Sequence, residues 1–196
     1  GCLPALDQPK VTSAAQGRWY PDNAIVFGIV INGEARAYPK NMMEVHEMVN
    51  DTLGGRRIGI PYCTLCRAAQ VYFTDRVSGF EPLLRTSGLL ARSNKFMYDR
   101  STWSAFDTFT GRALSGPLHK AGVALPQATV VVSTWGDWRK AHPRTTIVAE
   151  DGGVAEAGGA GPLRVTHPGE AEGEHNDEGG GQAEIDGARR GPADGA

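Results

Sequence analysis

Two cysteines, Cys63 and Cys66, are the side chains of this sequence with the clearest chemical potential. Thiols separated by two residues can bind one metal ion or form a reversible disulfide. The chain has only 3 cysteines, too few for a scaffold held together by disulfides. We expect the third, Cys2, to be an ordinary loop residue and not a lipoprotein cysteine, because the apolar stretch that marks such a site is not seen before it.

The segment after Cys66 indicates how the pair is held. In thioredoxin-like proteins the Cys-x-x-Cys opens a helix, whose N-terminus lowers the thiol pKa. Here Ala68–Thr74 contains strand-forming residues, so the sequence predicts a hairpin with both cysteines at its tip. This arrangement resembles a metal knuckle and favours a metal site over a thioredoxin-type active site, while a reversible disulfide stays open. Arg67 would lower a thiolate pKa in either chemistry.

A metal ion needs more ligands than two thiolates, and His46 is the best third candidate. It lies on a helix that the spacing of apolar residues predicts over Lys40–Asn50. Thiolate and imidazole ligands suit copper or zinc. Our leading hypothesis is therefore a copper- or zinc-binding domain with Cys63, Cys66 and His46 as ligands. An ordinary histidine on an amphipathic helix is the alternative interpretation of His46.

The same cysteines support a second hypothesis, a thiol–disulfide oxidoreductase in which Cys63 is the nucleophile and Cys66 is the resolving thiol. A third hypothesis is a non-catalytic binding module in which the cysteines are merely buried. Its polar pocket would be lined by Arg36, Asn94, Asp99, Arg100 and Thr102. A structural turn with a salt bridge between Asp99 and Arg100 is the alternative interpretation of that segment.

Composition and motifs exclude several classes of function. The net charge of −2 provides no basic surface for nucleic acid and no polybasic membrane patch. No apolar run approaches the roughly 20 residues that span a bilayer. The sequence has no Gly-x-Ser-x-Gly elbow, Walker loop or Gly-x-Gly-x-x-Gly, so hydrolase and nucleotide-binding functions have no support. Because the sequence lacks an initiator Met, we expect that an N-terminal segment preceded it. The sequence indicates no protein partner.

The elements predicted around the cysteines are mostly strands. Ala24–Ile31 and Glu34–Tyr38 flank Asn32–Gly33, a strong hairpin signal. Many short strands with one or two short helices predict a β-rich α+β domain over 1–150, an antiparallel sandwich or a partly open barrel. The segment 151–196 has no Phe, Trp or Tyr and is rich in Gly, Glu and Ala, so we expect a disordered tail there.

Several segments together resemble the bacterial and archaeal domain-of-unknown-function 3179 family. They are Asn32–Pro39, His46–Asp51, Tyr62–Cys66, Ser87–Leu90, Asn94, Met97–Arg100, Thr102–Trp103, Trp135-x-x-Trp138 and His142–Pro143. The resemblance covers about Leu3–Val148 and leaves the Gly-rich tail outside. The family pattern often has Gly where this chain has Arg67, a position that favours positive φ. Because family members are often exported, the resemblance implies an extracytoplasmic location, although a cytoplasmic location stays open. The resemblance implies no particular reaction.

Overall fold

The structure, a computed structural model, describes residues 3–91 and 93–149. Cys2 and the expected tail, 151–196, lie outside the described residues. Within them, no helix is long and apolar enough to cross a membrane.

The described chain is dominated by short strands. The strands are β1 (Leu6–Asp7), β2 (Val11–Ser13), β3 (Ile25–Ile31), β4 (Glu34–Pro39), β5 (Met48–Leu53), β6 (Arg56–Cys63), β7 (Ala68–Ala69), β8 (Val71–Phe73), β9 (Leu84–Ala91), β10 (Asn94–Asp99), β11 (Ala105–Asp107), β12 (Gln127–Ala128), β13 (Val131–Thr134) and β14 (Thr146–Val148). The helices are α1 (Lys40–His46), α2 (Gly116–Lys120), α3 (Trp135–Ala141) and a 3-10 turn at Gly17–Trp19.

The described strands form three sheets. A five-stranded sheet has the order β13-β3-β4-β14-β2, and a six-stranded sheet has the order β1-β5-β6-β8-β12 with β7 paired to β6. A three-stranded sheet has the order β11-β10-β9. Pairing is antiparallel except between β1 and β5 and between β4 and β14. The β-rich α+β prediction is confirmed, and the described sheets do not close into a barrel.

Three apolar clusters hold these sheets in layers. Between the five- and six-stranded sheets lie Phe27 and Ile29 of β3 and Ile58 and Ile60 of β6. A second cluster joins the six-stranded sheet to the three-stranded sheet and includes Met97 of β10. The third packs α3 on the outer face of the five-stranded sheet. There Gly28 leaves room for the ring of Trp138, whose carbons lie 2.3–2.5 Å from where a Cβ would be.

The helix predicted over Lys40–Asn50 is shorter than expected. It ends at His46, because Glu47 adopts a left-handed backbone (φ 56°) and donates its N–H to the carbonyl of Met43. The chain then continues as β5, whose first two residues face different apolar clusters. Two further short helices, α2 and α3, follow in the second half of the described chain. Three short α-helices thus replace the one or two expected.

Candidate functional site

The two cysteines lie in the turn between β6 and β7. Cys63 is the last residue of β6 and pairs with Ala68, and Tyr62 pairs with Ala69. Four residues, Thr64–Arg67, connect the strands. The predicted hairpin is therefore present, and no helix opens at the pair.

The thiol groups of the pair lie close together in unequal surroundings. The two Sγ atoms are 2.8 Å apart, and the backbone N–H of Cys66 donates to Cys63 Sγ at 3.3 Å. Cys63 is buried, with 1% of its surface exposed, whereas Cys66 is partly exposed. The Cys66 sulfur also faces the carbonyl of Ser93 at 3.3 Å and Oδ1 of Asn94 at 3.4 Å.

These surroundings move the two thiol pKa values apart. Burial raises the pKa of Cys63, but hydrogen bonds from the Cys66 thiol and from backbone N–H groups, including that of Lys95, outweigh it and lower the pKa overall. The pKa of Cys66 is raised, chiefly because its thiol donates to Cys63, and further by burial. The stable thiolate is thus the buried sulfur, and the accessible sulfur is the one that keeps its proton.

A buried ion pair lies beside the turn. The Lys95 ammonium pairs with the carboxylate of Glu47 and is 3.4 Å from the carbonyl of Tyr62. The other Glu47 oxygen accepts a hydrogen bond from Thr64, between the cysteines, at 3.0 Å. Burial lowers the pKa of Lys95 to about 8. The carboxylate of Glu47 acts in the opposite direction, because it stabilises the charged ammonium group. The pair therefore ties β10 and the end of α1 to the cysteine turn.

Three residues around the pair have left-handed backbone conformations. They are Glu47 (φ 56°), Arg67 (φ 52°) and Ser93 (φ 63°). Such conformations are unfavourable for residues with a side chain and gather where a functional geometry is held in place. Arg67 thus keeps the positive φ that the family pattern often provides with Gly.

His46, the expected third metal ligand, contacts the beginning of the described chain. Its Nδ1 lies 2.8 Å from the carbonyl oxygen of Pro4. Among residues 3–91 and 93–149, no three His, Cys, Asp or Glu side chains form a group that could hold a metal ion. A zinc site would need further ligands beside the two thiolates, so the described donor set is incomplete for zinc.

The five residues expected to line one pocket lie in different surroundings. Buried Arg36 is hydrogen-bonded to Asp51 at 2.7 Å and ion-paired with Glu34 at 2.8 Å. Asp99 accepts hydrogen bonds from the backbone N–H and the hydroxyl of Thr102, at 2.8 and 2.7 Å, so these two build a turn.

The other two of the five serve different parts of the molecule. Asn94 contacts Cys66, and its buried Nδ2 has no hydrogen-bond partner among the described residues. Arg100 is exposed and lines a cavity with Tyr98 and Trp103.

Sequence reasoning did not single out Lys95 or Glu47 as parts of the site. They are separated by 48 residues and meet only because β10 packs near β6. A Lys and a Glu in short amphipathic segments normally indicate solvent-exposed positions, so their burial carries no local signal.

Fold and site together define a β-sandwich protein with a dithiol hairpin turn. The chain belongs to the family described as protein of unknown function (DUF3179), whose model matches residues 1–170. The expected resemblance is thereby confirmed, and the match extends past Val148 into the segment expected to be a tail. No curated protein and no solved structure matches the sequence.

Proposed function

We propose that this protein is a thiol–disulfide exchange protein in which Cys63 and Cys66 alternate between a dithiol and a disulfide. The observation that carries the proposal is the 2.8 Å separation of two sulfurs with opposite pKa shifts. This was the second of the sequence-based hypotheses. The exposures favour the reverse of the roles expected from sequence, because the accessible sulfur belongs to Cys66.

The reaction begins when a partner thiolate attacks Cys66 Sγ of the oxidised pair. The Cys63–Cys66 bond breaks, its electron pair leaves on Cys63 as a thiolate, and a mixed disulfide forms between Cys66 and the partner. A second thiolate of the partner then attacks the partner's own sulfur in that mixed disulfide. Cys66 leaves, takes up a proton, and the partner becomes oxidised as the pair becomes reduced by two electrons. A second disulfide reoxidises the pair by the same steps in reverse.

The lowered pKa of Cys63 suits it to the role of leaving group. Thiols of lower pKa leave faster in exchange, and stabilisation of the thiolate favours the reduced pair. The backbone N–H of Cys66 donates to Cys63 Sγ at 3.3 Å from within the turn, so this donor is in place before reaction. The described environment therefore supports an oxidant of partner dithiols more than a strong reductant.

Trapping experiments test this assignment of roles. In a Cys2→Ser background, Cys63→Ser should accumulate a mixed disulfide with oxidised glutathione at Cys66. The matched variant Cys66→Ser should label far more slowly, because Cys63 is buried. Mass spectrometry after alkylation should also show one disulfide forming in the chain with both cysteines. A pair that stays reduced in oxidised glutathione, or that labels mainly at Cys63, would contradict the proposal.

Metal binding remains the competing proposal for the same pair. Two thiolates without further protein ligands are suited to Cu(I) better than to zinc. Elemental analysis of protein purified without chelator tests it, since near-stoichiometric copper or zinc that is lost in Cys63→Ser would favour a metal site.

We also propose an extracytoplasmic location, where disulfides persist. Recovery of the native protein only from cytosolic fractions would argue against it.

A further inference from the structure

A cavity away from the cysteine turn has a polar and aromatic lining. Its volume is about 250 Å³. Its lining includes Pro4, Arg85, Thr86, Tyr98, Arg100 and Trp103. We propose that this cavity binds a small organic molecule with one carboxylate and a flat apolar body.

The charge of the cavity favours one negative group. The guanidinium of Arg100 makes no ion pair or hydrogen bond within the part of the chain that the structure describes. Arg85 is held by Asp7, with Nη1 3.0 Å from Oδ1 and a second ion-pair contact through Nη2. The Asp99 carboxylate accepts hydrogen bonds from Thr102 and from the backbone N–H of Leu83. One uncompensated guanidinium therefore remains, and a guanidinium binds a carboxylate through two parallel hydrogen bonds.

The aromatic wall favours a flat ligand. Trp103 is 72% exposed, and its ring stacks on Tyr98 with centroids 5.2 Å apart and planes inclined by 7°. The Trp103 backbone is left-handed (φ 57°), which is unusual for a bulky residue, and its N–H donates to the carbonyl of Asp99 at 2.9 Å. The fold thus holds a large ring at the surface in a conformation that core packing does not require.

A buried threonine, Thr86, is among the residues that line the cavity. Thr86 is 3% exposed, and its Oγ1 has no hydrogen-bond partner among the described residues. A buried polar atom without a partner is costly, so a ligand oxygen that accepts from it would recover a hydrogen bond. Pro4 also lines the cavity, and its carbonyl oxygen lies 2.8 Å from Nδ1 of His46.

The size of the cavity restricts the ligand further. Sites for drug-sized molecules generally exceed about 300 Å³, so this cavity suits a molecule no larger than a single aromatic ring with its carboxylate. Benzoate is a probe with both features, benzamide is its neutral analogue, and inorganic phosphate provides charge without a flat body.

Titration of the full chain by saturation-transfer NMR tests the proposal. Benzoate should bind saturably with a dissociation constant on the order of 1 mM. Benzamide and phosphate should each bind at least about tenfold more weakly. Arg100→Gln should weaken benzoate by a similar factor, whereas Arg112→Gln, which removes an exposed charge elsewhere, should have no effect.

Two further variants separate binding from folding. Trp103→Gly removes the ring and introduces glycine, which tolerates the positive φ of this position. The protein should therefore remain folded but no longer bind benzoate. Thr86→Val should weaken binding without loss of stability, because it removes an unpartnered hydroxyl. The proposal is overturned if benzoate binding does not saturate up to about 20 mM. It is also overturned if benzamide or phosphate binds as tightly as benzoate, or if the Arg100→Gln protein binds benzoate as tightly as the unchanged protein.

Discussion

The backbone of Lys95 on β10 lies close enough to Cys63, the last residue of β6, to help lower the pKa of the Cys63 thiol. The side chain of the same lysine is buried against Glu47. The register of β10 therefore controls both the stability of the thiolate and the position of the ion pair. Any change that displaces Lys95 should alter the chemistry of Cys63 as well as the stability of the fold.

The hydrogen bond between the two cysteines should govern the ionisation of Cys63. In a Cys2→Ser background, Cys66→Ala removes the donor and should raise the pKa of Cys63. The matched variant Cys66→Ser retains a hydroxyl donor and should raise it less. Absorbance of the thiolate at 240 nm as a function of pH measures both. Equal titration of the two variants would show that the backbone N–H groups alone lower the pKa.

The buried pair of Lys95 and Glu47 should show strong energetic coupling. Glu47→Gln or Lys95→Met leaves one buried charge unpaired, at a cost of about 3–5 kcal/mol in the free energy of unfolding. The double variant leaves neither charge and should cost much less than the sum. Urea denaturation of the four chains measures the coupling. Additive losses would mean that the two charges stabilise the fold independently.

Burial of Lys95 also predicts a dependence of stability on pH. Its pKa is about 8 in the folded state, below the ordinary lysine value of 10.5. Between these values the unfolded chain binds more protons than the folded one, so the free energy of unfolding should rise with pH. Lys95→Met should lack this part of the rise between about pH 8 and 9.5, below the range in which tyrosines ionise. Parallel profiles for the two proteins would exclude the effect.

The local parts of the structure were predictable from sequence because they depend on short-range patterns. Asn32–Gly33 marks the hairpin of β3 and β4, and strand-forming residues on both sides of Cys63 and Cys66 mark the cysteine turn. The end of α1 was not predictable, because Glu47 carries no helix-stop signal. Its left-handed conformation depends on contacts with Thr64 and the following strand.

The chemical environment of the cysteines depends on residues that are distant in sequence. Ser93 and Asn94 reach Cys66 only through the packing of β10 near β6, and no local pattern indicates this. The same limit applies to Arg36, whose type and spacing suggested a pocket. In the structure Asp51, from another sheet, holds Arg36 in a buried ion pair.

The left-handed backbone of Arg67 should make glycine favourable at that position. A residue with a side chain in this conformation costs about 1 kcal/mol or more, so Arg67→Gly should raise the free energy of unfolding by roughly 1 kcal/mol. Arg67→Ala retains the unfavourable Cβ and serves as the matched control without this gain. Urea denaturation of the reduced proteins measures the difference. Equal stability of the two variants would indicate that the turn relaxes when the arginine is lost.

The side chain of Asn94 should control how readily Cys66 reacts. Asn94→Asp places a carboxylate where Oδ1 now lies 3.4 Å from the sulfur, and a nearby negative charge disfavours the thiolate. Alkylation of Cys66 by iodoacetamide near neutral pH should therefore slow by roughly tenfold. Peptide mapping by mass spectrometry in a Cys2→Ser background measures the rate. Asn23→Asp, which adds the same charge at an exposed position lining a different cavity, should leave it unchanged. An unchanged rate in Asn94→Asp would mean that solvent, and not Asn94, determines the ionisation of the accessible thiol.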